Sequence, residues 1–206
     1  LMQIQGNNAA EGKVIVSADR DITGTVGANN AIADLQLDAT LTVNTGTVAV
    51  TNLDINAGSL IGTNASITVT GATTLDGGDI TSAGAITLAT TQINEDVTIT
   101  SGANADQTFG GTIRGDASDD DLTIVLQGTG KAIINGIVGV GIDNDIGAID
   151  ITGILDLNAA IGVTGGAAGA ASLAVSGVST LDADINTSGT QTYTGGVTLG
   201  TAARTL

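Results

Sequence analysis

The 206-residue chain contains no cysteine, histidine, proline or tryptophan, and its only aromatics are Phe109 and Tyr193. Without Cys or His there is no thiol redox pair, no imidazole base and no zinc site of the usual ligand set. Cations are nearly as scarce: five Lys and Arg stand against 21 Asp and Glu, a net charge of −16. That balance leaves no basic footprint for nucleic acid or anionic lipid. No apolar run approaches the ~18 residues of a membrane-spanning helix, and two aromatics cannot form the girdles of a membrane β-barrel. No signal-peptide pattern follows Leu1, so the expectation is an excised or mature piece of a longer chain.

What the chain does have is 31 Gly, 42% hydrophobic residues and a mean hydropathy of +0.35, too apolar for a disordered segment. Its core must therefore be built from Ile, Leu, Val and Ala, without the aromatics that dominate many globular interiors. Small aliphatics can do this when each side chain stacks on its like in a regular array.

Repetition is present. Apolar–polar–apolar triplets such as Leu41-Thr42-Val43, Ile67-Thr68-Val69, Val97-Thr98-Ile99 and Val197-Thr198-Leu199 read as short strands of period two, separated by Gly, Asn, Asp and Ser. They fall into columns. A first column runs Val16, Leu35, Ile55, Leu75, Ile93; a second Ile22, Leu41, Leu60, Ile80; a third Val48, Ile67, Ile86, all at steps of 18–20. In the second half the period is 24: Phe109, Ile133, Leu157, Leu181, with Leu206 at 25, and four residues later Ile113, Ile137, Ile161, Ile185. Ile149, Leu173 and Val197 continue the third column, and Val97 fits either the second or the third.

Two phrases recur between the halves. Val69-Thr-Gly-Ala-Thr-Thr-Leu-Asp-Gly-Gly-Asp-Ile80 parallels Val175-Ser-Gly-Val-Ser-Thr-Leu-Asp-Ala-Asp-Ile185, and Gln107-Thr-Phe parallels Gln191-Thr-Tyr. The pattern predicts an all-β fold, a parallel β-solenoid (β-helix) of about nine coils with three short strands per coil. Residues 1–92 would form ~19-residue coils and 93–206 ~24-residue coils with one lengthened corner, in one continuous domain. At ~4.8 Å per coil the rod would be on the order of 45 Å long. Proline would delete a ladder N–H wherever it recurred, which accounts for its absence.

The 19-residue period, the triplets and phrases such as Thr187-Ser-Gly-Thr-Gln-Thr-Tyr-Thr-Gly-Gly-Val-Thr-Leu199 resemble filamentous-haemagglutinin-like adhesins and autotransporter passenger domains of bacteria. The resemblance covers nearly the whole chain and is one of repeat style. It implies a right-handed parallel β-helix secreted to the cell surface as part of a longer protein.

Few residues are candidates for chemistry. Arg114-Gly115-Asp116 is an Arg-Gly-Asp tripeptide; in adhesins of the resembled kind such a loop can offer a carboxylate and a guanidinium to an integrin-type receptor, and otherwise Arg114 is a counter-charge in an acidic corner. Asp116, Asp119, Asp120 and Asp121, with Asp143 and Asp145 one coil later, are candidate Ca²⁺ ligands, since hard carboxylates suit a cation that takes about 6–8 oxygens. Neither the EF-hand spacing nor a Gly-Gly-x-Gly-x-Asp repeat is present, and the competing reading is a solvated corner that keeps the rod soluble. Asn56, Asp76, Asn94, Asn158 and Asp182 each follow a first-column residue and are expected to form a structural corner ladder.

An enzyme is not expected. A glycosidase-like pair of acids would lack basic partners and aromatic platforms, because Lys13, Arg20, Arg114, Lys131 and Arg204 are scattered. The expected function is a non-enzymatic structural or adhesive module of a bacterial cell-surface protein, a stiff extracellular rod. The alternative is a self-assembling subunit of an S-layer, sheath or extracellular filament, stacked head-to-tail on itself and linked through Ca²⁺. Expected partners are accordingly other copies, the rest of a longer chain, or host-cell and surface receptors.

Overall fold

The structure, a computed structural model, describes residues 4, 7–8, 10–27, 29–116, 119–139, 145–163 and 166–206. Short runs of β-branched residues punctuated by Gly, Asn and Asp cannot sustain helix, and every regular element among the described residues is a strand. In chain order these are β1 (Glu11–Val16), β2 (Arg20–Ile22), β3 (Ile32–Leu37), β4 (Leu41–Val43), β5 (Gly46–Ile55), β6 (Ser59–Gly62) and β7 (Ala65–Leu75). Then come β8 (Asp79–Ser82), β9 (Ile86–Ile93), β10 (Val97–Ala103), β11 (Gln107–Phe109), β12 (Ile113–Gly115), β13 (Leu122–Gln127) and β14 (Lys131–Ile134). The last are β15 (Ile146–Thr152), β16 (Ile154–Leu157), β17 (Ala170–Val175), β18 (Ser179–Leu181), β19 (Gln191–Tyr193) and β20 (Val197–Leu199).

All pair in parallel, in one 11-stranded and one nine-stranded sheet, and together make a β-solenoid of about nine turns. Each turn presents three faces. In β5, Val48 and Val50 lie on a third face; the register then shifts, and Leu53 and Ile55 lie on a first face. Leu60 of β6 lies on the second face, and the next turn begins at Ile67. The larger sheet thus holds the third and first faces, and the smaller one holds the second.

Period-two alternation sends every other residue inward, where it meets its counterpart one turn on. The inward third-face column runs Val50, Val69, Leu88, Phe109, Ile134, Leu157, Leu181, Leu199. The second-face column runs Leu41, Leu60, Ile80, Ile99, Ile124, Ile151, Val175, Tyr193. Leu41 through Val175 are buried, and burying one such side chain contributes about 1.5–3 kcal/mol. The interior is thus a set of parallel, mainly aliphatic stacks along the rod axis.

The registers differ from the sequence columns at several points. Leu37, not Leu35, continues Val16 to Ile55, and Ile22 pairs with Val43 rather than preceding Leu41. A slip of two positions keeps every side chain on its own side of the sheet, so alternation alone cannot detect it. Ile133 points outward opposite Thr108, leaving the column to Ile134, and Val138 takes the slot expected for exposed Ile137. In both places two apolar residues are adjacent, and only one can face inward. Val97, Ile149 and Leu173 belong to the second face. Leu181 is followed in its column by Leu199 rather than Leu206, so that turn is shorter than the sequence columns imply. Val140 and Ile142, which alternate after Val138 as a further short strand in the lengthened corner would, lie outside the described residues.

Candidate functional site

The densest collection of candidate residues sits where the first face turns into the second. Arg114 and Gly115 belong to β12, whose main chain pairs with β9: Arg114 opposite Gln92 and Gly115 opposite Ile93. Alternation exposes Arg114, buries Gly115 and exposes Asp116, whose N–H donates to the carbonyl of Ile93 at 3.0 Å. The tripeptide is therefore held flat in the wall of the solenoid instead of at the tip of a loop.

Asp116 also has a place that the sequence columns did not give it. The N–H groups of Asp38, Asn56, Asp76, Asn94 and Asp116 bond in succession to the carbonyls of Val16, Leu37, Ile55, Leu75 and Ile93, at 2.9–3.0 Å. These five form one ladder in which Asp and Asn alternate. The Asn56 amide donates to Asp38 Oδ1 at 2.8 Å, and that of Asn94 to Asp76 Oδ1 at 2.6 Å. Alternation interleaves a neutral donor between carboxylates, so no two acids are adjacent in the column. Hydrogen bonds from Gln36 and Asn56 hold the Asp38 carboxyl below its usual range. Asp54, on the neighbouring outer row, is pushed the other way, first by partial burial and then by the charge of Asp76.

Asn158 and Asp182 are not on this ladder. Their N–H groups bond to the carbonyls of Ile134 and Leu157 at 2.9 and 2.8 Å, which puts them, with Asn135, at the corner between the third and first faces. The Asn158 amide donates to Asn135 Oδ1 at 3.0 Å. The expected single ladder is therefore two, on different corners.

Two carboxylates of the acidic cluster are committed to the main chain. Asp120 is buried, its Oδ2 accepts from the Asp116 N–H at 3.3 Å, and its carbonyl accepts from Gly147 at 2.8 Å. Asp121 Oδ1 accepts from Ala148 N–H at 2.5 Å, a reach that depends on Gly147 because a Cβ there would strike this oxygen. The Asp121 N–H itself donates to Asp96 Oδ1 at 2.9 Å. Asp119 is exposed and Asp145 half-buried; Asp143 lies outside the described residues. Among the described residues no three acidic side chains are arranged to hold a metal ion.

The Asp121 contact belongs to a wider pattern that the sequence did not reveal. Asp19, Asp79, Asp96, Asp106 and Asp184 each accept the backbone N–H of a residue one turn on, namely Thr40, Thr98, Asp121, Lys131 and Thr205, at 2.8–3.0 Å. A carboxylate accepting an N–H is among the stronger hydrogen bonds available to a corner. Asp79 opens β8 and the other four stand immediately before a strand or bridge, positions that the sequence shows without showing their partners. Much of the negative charge is therefore part of the inter-turn bonding.

No protein-family model, curated protein or solved structure matches the chain.

Proposed function

We propose that the chain is a stiff, non-catalytic module of a bacterial cell-surface protein, a rod that acts through its shape and its hydroxyl- and carboxylate-lined outer faces. The observation that carries this reading is continuity: ladders running from β1 to β20 and from β2 to β19 link all the turns through parallel main-chain hydrogen bonds. Such a rod transmits load along its axis and presents a regular surface across it. The extracellular setting rests on the resemblance in repeat style to bacterial adhesins.

The test is protease treatment of intact cells that produce the protein, followed by immunoblotting for this region. Loss of the region while cytoplasmic markers survive supports the reading; retention until the cells are lysed overturns it. Attachment of host cells to immobilised chain is expected to be unchanged by Asp116→Ala, because Arg114 and Gly115 lie flat in β12 and the Asp116 main chain is tied to Ile93. A loss of attachment would instead assign adhesion to that strand. Spontaneous filaments seen by electron microscopy would favour the self-assembling subunit over a rod module.

A further inference from the structure

We infer that the solenoid contains a built-in seam between its fourth and sixth turns, at which the rod opens as two cooperative units. Five of the seven buried polar side chains among the described residues, namely Thr73, Ser82, Thr91, Ser101 and Gln107, fall within these three turns. Elsewhere among the described residues only Asp120 and Ser179 interrupt the apolar interior, and they lie in different turns.

The polar groups of this stretch are unevenly satisfied. Ser82 and Ser101 donate to the carbonyls of Ala65 and Ala105 at 2.5 and 2.8 Å. Gln107 Nε2 donates to the carbonyls of Ile99 and Val125 at 3.0 and 2.9 Å, tying the third face to the second. Thr73 Oγ1, Thr91 Oγ1 and Gln107 Oε1 are buried with no hydrogen-bonding partner. Thr73 and Thr91 are partners in the ladder, so two consecutive turns of the first face carry a hydroxyl where other turns carry Leu53 or Ile113. A buried polar group left unpaired is costly, and a hydroxyl in place of a methyl group forfeits part of the aliphatic contact that joins turns elsewhere.

Strand continuity changes at the same level. The strands β5, β7 and β9 run unbroken from third face to first over 10, 11 and 8 residues, whereas β9 is followed by two three-residue strands, β11 and β12. In a solenoid each turn contacts only its neighbours, so a weak interface is not compensated from a distance. Weak coupling there divides one cooperative rod into two.

Hydrogen exchange read by mass spectrometry on the 206-residue chain tests this. Amides of β9–β11 are expected to exchange faster than those of β5 on one side and β15 on the other. A uniform profile, or a minimum of protection elsewhere in the interior, overturns the seam. The double variant Thr73→Val/Thr91→Val should close the gap in protection and raise the thermal midpoint by about 2–4 °C per hydroxyl. A second readout uses the lone tyrosine. The near-ultraviolet signal of Tyr193, in the distal unit, should not coincide with far-ultraviolet dichroism in the native chain and should coincide in the variant. If the mismatch persists in the variant, it reports fraying around Tyr193 and the seam is refuted.

Discussion

Turns before Ile93 and turns after it solve the same packing problem with different lengths. On the second face, the steps that link Leu41, Leu60, Ile80 and Ile99 are short and nearly equal, whereas those that link Ile99, Ile124, Ile151 and Val175 are all longer. The extra length enters mainly at one corner, between the first and second faces. There the first face also contracts: strands β3, β5, β7 and β9 give way to β12 and then to single bridged residues, Val138, Ile161 and Ile185. The last complete turn, from Val175 to Tyr193, is short again. Coil length is therefore a local property of one corner, and the inward columns remain continuous through it.

The recurring phrases show the same independence. Val69, Leu75 and Ile80 lie on the third, first and second faces, whereas their echoes Val175, Leu181 and Ile185 lie on the second, third and first. Gln107 and Phe109 are on the third face, and Gln191 and Tyr193 are on the second. Both echoes are displaced by one face. The three corners are similar enough for one phrase to serve at any of them, and this is why the Asn/Asp ladder changes corner between the halves.

The largest expected effect tests whether the two halves share one core. Phe109 is fully buried between Leu88 and Ile134, where the coil length changes. Phe109→Ala should cost about 3–5 kcal/mol in urea-induced unfolding. A cost below about 1 kcal/mol would mean that the neighbouring turns collapse onto the space and that the aliphatic stack is not continuous there.

A smaller effect distinguishes crowded corners from open ones. A Cβ on Gly177 would strike the carbonyl of Gly153 one turn below, whereas one on Gly196 would meet nothing within 4 Å. Gly177→Ala should therefore destabilise by about 1–3 kcal/mol, and Gly196→Ala should stay within about 0.5 kcal/mol of the parent. Equal effects would show that the stacked-glycine corner is not a packing constraint.

The ladders can be compared directly. Asn94→Asp places a third carboxylate between Asp76 and Asp116 and also removes the amide that donates to Asp76. Asn158→Asp faces neutral Asn135 on one side. The first is expected to lose about 1 kcal/mol at neutral pH and the second less. The Asn94→Asp deficit should shrink as pH falls, since protonation relieves like-charge repulsion. A deficit independent of pH would show that only the lost amide mattered.

The parts of this fold that are legible in sequence are those written as alternation. Ile67-Thr68-Val69 shows its pleat, and the absence of Pro and the 19-residue step show that pleats stack. Register was less accessible, since Leu35 and Leu37 both face inward and their order in the column depends on main-chain pairing. Asp116 looked like a ligand because its neighbours in sequence are acidic. Its neighbour in space is Asn94, a full turn earlier, a relation that follows from coil length and not from adjacency. The carboxylates that cap N–H groups one turn on were invisible for the same reason.

The smallest effect separates two acids of the shorter turns. Gln36 and Asn56 donate to Asp38 and lower its pKa, so its contribution to stability is present above the unfolded-state value and is lost as pH falls through the folded one. Asp54 has a raised pKa, from partial burial and then the charges of Asp76 and Asp38, with Lys13 opposing, so ionising it weakens the fold and protonating it removes that penalty. At neutral pH, Asp38→Asn should lower the unfolding midpoint and Asp54→Asn should raise it. For Asp54 the change should be under about 1 kcal/mol, the scale of solvent-screened charges. Both differences from the parent should vanish toward low pH, that of Asp54→Asn at the higher pH because its folded pKa is the higher. Deficits of the same sign in the two variants would mean that the outer rows of the first face are held by packing, leaving the charges of the short turns as inert as an ordinary exposed surface.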